Sequence, residues 1–114
     1  MSGETGGGSE RRRAERVAMP PDGPISVVGA RLSSVSPFGM RIESPVVIAV
    51  GTVLQFRLSI AGEKADVHAQ VASCNPGGTE RRGYEIGLEF VELSSAVRDR
   101  LREALQHYGE GRRS

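Results

Sequence analysis

Arginine is the residue type in this sequence with the widest capacity to recognise a ligand. Lys64 is the only lysine among 15 cationic side chains, so nearly all of the positive charge is guanidinium. Arg12, Arg13 and Arg16 stand close together near the N-terminus. A guanidinium can pair with the O6 and N7 acceptors of guanine, stack on a purine ring and form charge-assisted bonds to phosphate. We interpret the segment as either a solvated basic arm or a clamp for a planar, anionic ligand.

The spacing of these arginines does not separate the two interpretations. Arg12 and Arg16 are four residues apart, and Arg98 and Arg102 repeat that spacing in a segment where, with Arg100, the pattern predicts a solvated helix face. One repetition in so short a chain shows that the spacing has little specificity. The position of the first pair, just before a proline-rich turn and the first predicted strand, is more informative.

A serine-rich segment ends the first predicted strand and reads Ser34-Val35-Ser36-Pro37-Phe38-Gly39. Its hydroxyls can donate or accept hydrogen bonds, and its glycine permits a tight reversal of the chain. These properties are typical of an ordinary turn and also of the polar wall of a binding site.

Two histidines and one cysteine are the other candidates for catalysis or metal binding. His68 is predicted on the outward side of a strand and His107 near the end of a helix. Neither has a second histidine or a cysteine at the spacing of a zinc site. Cys74, which ends a strand, is expected to be a small, buried or half-buried apolar residue. We predict no enzymatic activity, no metal and no cofactor.

The composition excludes several classes of protein. A formal net charge of +1 is too small for bulk binding to a nucleic acid polymer, and one cysteine cannot form an internal disulfide. The longest apolar run, residues 45–50, is far shorter than the roughly 18–20 residues of a membrane span. Residues 1–9 contain no apolar signal segment. We expect a cytoplasmic protein that does not insert into membranes.

Alternating apolar and polar residues predict the sheet that must position these segments. The alternation is clearest in residues 54–60, and it recurs in residues 25–33, 40–43, 65–72 and 84–90. From Ser94 or Ser95 the apolar spacing becomes helical and continues to Tyr108, and Gly109 and Gly111 are predicted to end the helix. The pattern therefore predicts five or six antiparallel strands followed by one amphipathic helix.

The same reading divides the chain into one domain and two tails. Residues 1–9 are predicted to be a disordered glycine-rich tail, and residues 109–114 a flexible tail. Residues 10–108 are predicted to form a single domain. Within it, residues 10–23 are the arginine-bearing arm, residues 24–92 the barrel and residues 94–108 the helix.

The two motifs together resemble the PilZ domain family of bacterial receptors for cyclic di-GMP. The family pattern is Arg-x-x-x-Arg followed by Asp/Asn-x-Ser-x-x-Gly after the first barrel strand. Arg12 and Arg16 match the first part, and Ser36 and Gly39 match the second. Ser34 stands where the family has Asp or Asn. The resemblance spans about residues 10–108 and implies a six-stranded antiparallel β-barrel with a C-terminal helix.

The resemblance also implies a function for individual residues. It implies that Arg12, Arg13, Arg16, Ser34, Ser36 and Gly39 bind cyclic di-GMP. Because serine is shorter than Asp and uncharged, the change at residue 34 could cost on the order of 1–3 kcal/mol of binding energy. The chain would be a stand-alone receptor or adaptor, a monomer or weak homodimer. Its output would be contact with an unidentified effector protein in motility, exopolysaccharide or biofilm control.

Two alternatives to this interpretation remain open at the level of sequence. One is a PilZ-like interaction adaptor that has lost cyclic di-GMP binding through the serine at position 34. The other is a small β-barrel that binds nucleic acid. Barrels of that kind present aromatic stacking platforms, whereas Phe56, Tyr84 and Phe90 are predicted to point inward. Only Phe38 and Tyr108 are left over, which makes the second alternative distant.

Overall fold

The computed structural model describes residues 16–77 and 83–113, with the side chains described as far as residue 110. In these described residues, seven strands are followed by one helix. The strands are β1 (Val17–Ala18), β2 (Ile25–Val27), β3 (Arg31–Val35), β4 (Gly39–Ser44), β5 (Val53–Ile60), β6 (Glu63–Pro76) and β7 (Tyr84–Val91). The helix is α1 (Ser95–Arg113). The predicted N-terminal tail and most of the predicted arginine arm lie outside the described residues.

All seven strands belong to one antiparallel sheet that curls into a half-barrel. Their order across the sheet is β1-β3-β4-β7-β6-β5-β2. The predicted class, mostly β with a C-terminal helix, is confirmed. Two differences raise the strand count above the expected five or six. The segment predicted as one strand, residues 25–33, is divided by a turn into β2 and β3. In addition, the two residues of β1 pair with the end of β3, placing Val17 opposite Val35 and Ala18 opposite Ser34.

The inner face of the curled sheet carries the hydrophobic core, as strand alternation requires. Ile25, Met40, Leu58, Ile86 and Leu88 are fully buried. Burying a side chain of this size contributes about 1.5–3 kcal/mol. The inward aromatic residues were predicted correctly, because Phe90 is buried in the core and the partly buried Phe56 and Tyr84 pack against it.

Helix α1 covers part of this core with the apolar stripe that its spacing predicts. Leu101 and Leu105 are buried, and Val97 and Tyr108 pack against the core. The Ser94 hydroxyl oxygen accepts a hydrogen bond from the Val97 amide at 3.2 Å, so it caps the helix N-terminus.

The predicted end of the helix is wrong. Helix α1 continues through Gly109 and Gly111 to Arg113. Along the described part of the chain, no helix has both the length and the apolar character to cross a membrane.

Candidate functional site

Ser36 organises the turn that joins β3 to β4. Its amide donates to the Gly39 carbonyl at 2.8 Å. Its hydroxyl oxygen accepts the amides of Phe38 at 3.1 Å and Gly39 at 3.3 Å. The residue is only 4% exposed. The serine is therefore required by the turn itself, because without it two backbone donors at the end of the sheet lose their acceptor.

Gly39, at the start of β4, lies against the neighbouring strand β7. A Cβ built on Gly39 would overlap the carbonyl oxygen of Leu88 and would lie 3.3 Å from the carbonyl carbon. Gly39 is buried and pairs with Glu89 across the two strands. The close approach that this glycine permits is therefore between two strands of the sheet.

The outer face of the sheet beside this turn brings Ser34 next to a second arginine. Ser34 on β3 is the cross-strand partner of Arg41 on β4. Arg41 in turn pairs with Gly87 on β7. Because Met40 and Ile42 are buried on the inner face, Arg41 faces outward. Neither sequence motif includes Arg41, so it was not among the predicted site residues, although the alternation of β4 does predict its outward direction.

Arg16 lies on the same outer face, immediately before β1. The pKa of its guanidinium is lowered from the ordinary value, first by partial burial and second by the positive charge of Arg41. Glu85 and Glu89 oppose this change and raise the pKa. Arginine nevertheless remains charged in proteins. Two guanidinium groups and two carboxylates therefore share this part of the surface.

Glu85 also pairs directly with the second of these cations. Arg41 Nη1 lies 3.6 Å from Glu85 Oε1, and the two side chains are 47% and 36% exposed. This separation is longer than a charge-assisted hydrogen bond, which is typically 2.7–2.9 Å. The interaction is a loose surface ion pair, which a competing anion can replace.

Phe38, at the tip of the turn, contacts helix α1. The guanidinium carbon of Arg98 lies 4.9 Å from the centroid of the Phe38 ring, and that of Arg102 lies 5.9 Å from it. Both distances fall within the range of cation–π interactions. Arg98 is half-buried, and its Nε has no hydrogen-bond partner in the part of the chain that the structure describes. The prediction of a solvated arginine face is therefore wrong for Arg98.

The family model for the PilZ domain matches residues 10–107 of the chain. The chain belongs to the PilZ family. None of the curated proteins matches it closely enough in sequence to be counted as a relative.

Two solved structures share its fold. MrkH from K. pneumonia, in complex with c-di-GMP, superimposes with a TM-score of 0.73 at 15% identity, covering 90% of this chain and 55% of MrkH. YcgR from Escherichia coli, in complex with c-di-GMP, gives a TM-score of 0.70 at 20% identity, covering 90% of this chain and 48% of YcgR. The chain thus spans about half the length of each. At these identities the likeness shows the fold.

The structure describes four of the six residues that the sequence predicts as a site. Arg16 and Ser34 lie on the outer face of neighbouring strands. Ser36 and Gly39 form the adjacent turn. Arg12 and Arg13 lie outside the described residues. The structure therefore places Arg16, the second arginine of the Arg-x-x-x-Arg motif, beside the serine-containing motif.

Other candidate chemistry is sparse on this PilZ domain. Within residues 16–77 and 83–110, no group of three or more His, Cys, Asp and Glu residues is arranged to hold a metal ion. Cys74 is half-buried and forms no disulfide, and His68 is exposed.

Proposed function

We propose that this PilZ domain is a cytoplasmic cyclic di-GMP receptor that binds the ligand on the outer face of β1, β3 and β4. The observation that carries the proposal is the placement of Arg16. It stands next to Val17, which pairs with Val35, so the arginine is beside the turn that contains Ser36 and Gly39. Family membership and the two c-di-GMP complexes of similar fold support the same ligand.

The proposed ligand carries two guanine bases and two phosphates, which fit the chemistry of this face. We assign Arg16 to a phosphate or a guanine edge, where a guanidinium binds through two donors. Arg12 and Arg13 would complete the clamp from the preceding segment. Ser34, half-buried beside Arg41, would supply one hydrogen bond.

The two turn residues have a different place in the proposal. Ser36 accepts two amides, yet a hydroxyl still has its own proton to donate, and we assign that proton to the ligand. Gly39 allows β4 to lie close to β7 and so fixes the position of the turn relative to the sheet. We infer that the receptor signals when the ligand gathers the arginines and changes the surface that an effector protein contacts. In this proposal the domain acts as a receptor and adaptor and not as an enzyme.

A second candidate is a PilZ interaction module that does not bind cyclic di-GMP. One observation favours it: the fold alone requires Ser36 and Gly39, the first for the turn amides and the second for strand contact. Their presence is therefore expected whether or not a ligand binds. Ser34, in place of the family's Asp or Asn, fits the same alternative.

Titration calorimetry with cyclic di-GMP separates the two candidates. We expect the wild type to bind with a Kd in the micromolar range or tighter. Arg16→Ala should weaken binding by about 10-fold or more, because a charge-assisted bond contributes about 1.5–3 kcal/mol. A ligand concentration of about 100 Kd should also stabilise the wild type by about 2.7 kcal/mol.

Arg57→Ala is the matched control for this experiment. Arg57 is an exposed strand arginine with an acidic partner, but it lies on β5, away from the proposed site. Its removal changes the net charge by the same amount. If the wild type gives neither heat nor a shift in Tm at hundreds of micromolar ligand, the receptor function is wrong and the interaction module is favoured.

A further inference from the structure

Arg41 lies on the outer face of β4, where a ligand bound at the proposed site would contact it. Its cross-strand neighbours are Ser34 on one side and Gly87 on the other. Neither has a side chain long enough to cover a guanidinium. The Arg41 side chain is 47% exposed, so its donors are accessible above the strands.

The same residue shares its surroundings with Arg16. The positive charge of Arg41 lowers the pKa of the Arg16 guanidinium, so the two cations are close enough to repel each other. An anion placed between two such groups relieves the repulsion and gains charge-assisted bonds from both. In the structure Glu85 performs part of this role: it lies 3.6 Å from Arg41, and its charge also acts on Arg16, as does that of Glu89.

We propose that Arg41 is a further ligand-contacting residue, which donates from β4 to a phosphate of cyclic di-GMP beside Arg16 and leaves Glu85 to do so. This inference rests on the proposed function. Glu85 is then a counter-ion that competes with the ligand. The proposal gives Arg41, which neither sequence motif includes, a direct part in affinity.

The charge of residue 34 enters the same balance. A carboxylate at residue 34 would lie directly across from Arg41, in the closest cross-strand position. This carboxylate would form an ion pair with the Arg41 guanidinium, as Glu85 does, but from a position closer to it. Ser34→Asp is therefore not expected to tighten binding, although it restores the family's motif.

The test is titration calorimetry with cyclic di-GMP on the wild type, Arg41→Ala, Arg41→Lys, Glu85→Gln and the control Arg57→Ala. We expect Arg41→Ala to weaken binding about 10-fold. Arg41→Lys, which keeps the charge without the two-pronged geometry, should fall in between. Glu85→Gln should tighten binding by about threefold, because it removes the competing carboxylate. The difference between wild type and Arg41→Ala should shrink as salt is added.

The outcomes separate this inference from the function on which it rests. If the wild type binds and Arg41→Ala binds as well as Arg57→Ala does, the role of Arg41 is refuted while the receptor function stands. If Glu85→Gln weakens binding, the competition by Glu85 is refuted. If the wild type does not bind, both proposals fail. Thermal denaturation of each variant checks that the exposed substitutions leave the domain folded.

Discussion

Gly39→Ala is predicted to destabilise the domain strongly, before any effect on a ligand. The added Cβ would overlap the Leu88 carbonyl oxygen and lie 3.4 Å from the Cα of Glu89. Both obstacles are backbone atoms of β7, which is paired to β4 along residues 39–44. No side-chain rotation can relieve the overlap, so the two strands must separate locally.

The expected loss of stability depends on which atoms the added Cβ displaces. Overpacking a well-packed site costs about 1–3 kcal/mol, and we expect about 3 kcal/mol here because the obstacle is backbone in the middle of the sheet. Since 1 kcal/mol corresponds to about 4–8 °C in a small domain, Tm should fall by about 10 °C or more. Gly87→Ala should cost about 1 kcal/mol or less, because its obstacle is the Ser73 hydroxyl, which can rotate away.

Thermal and urea denaturation, monitored by circular dichroism, measure the stability of each variant and so test the expected order of the two losses. Gly109→Ala is the control, since nothing lies within 4 Å of its Cβ position. It should stabilise helix α1 by up to about 1 kcal/mol. A Tm for Gly39→Ala within about 2 °C of the wild type would refute the reasoning, and so would a larger loss in Gly87→Ala. If Gly39→Ala is destabilised as expected and also loses ligand binding, the cause is distortion of the turn and not the loss of a contact between Gly39 and the ligand.

Two further predictions concern charged groups outside the proposed contacts. Phe38→Leu keeps an apolar side chain but removes the face of the aromatic ring. The coupling between residues 38 and 98, measured by a double-mutant denaturation cycle, should be about 0.5–1 kcal/mol. A coupling of zero would contradict the cation–π contact. Arg57 donates a 2.9 Å hydrogen bond that lowers the pKa of Asp66. This pair stabilises the fold above the unfolded-state pKa, and the contribution is lost as pH falls through the folded-state pKa. In Arg57→Ala, NMR titration should show the Asp66 pKa rising, and an unchanged value would count against the assignment.

Local alternation was enough to predict the long strands but not β1. In β5, Leu58 and Ile60 are buried while Arg57 is exposed, because one face of the strand lies on the core. β1 has only two residues and exists through pairing with β3. So short a strand has no measurable period. Its formation depends on a distant segment, which periodicity does not detect.

The helix end was missed for a related reason. A glycine inside a helix costs about 1 kcal/mol relative to alanine, and two of them near the end suggested a stop. The cost is modest and other contacts offset it. Gln106 Nε2 donates to Glu110 Oε2 one turn later at 3.3 Å, and the half-buried Tyr108 packs against the core.

The motifs of the candidate site could be recognised in the sequence, but the strand register that brings its residues together could not. Ser34 and Arg41 become cross-strand partners through an irregularity in β3 between Leu32 and Ser34. A bulge of this kind changes which residues face each other, and no local pattern in the sequence shows it. The stacking of Arg98 on Phe38 is likewise a contact between segments far apart in the chain.

The motif residues do not carry equal weight as indicators of ligand binding. Ser36 and Gly39 are explained by hydrogen bonding and strand contact within the fold, so they would persist in a domain that binds nothing. Arg16 and Arg41 have no such role in the turn or in the strand pairing: both are exposed, and the positive charge of Arg41 lowers the pKa of Arg16. Exposed guanidinium groups that the fold does not require are the better indicators of an anionic ligand. With serine at position 34, this face keeps both guanidinium groups and lacks only the carboxylate or amide of the family's Asp or Asn.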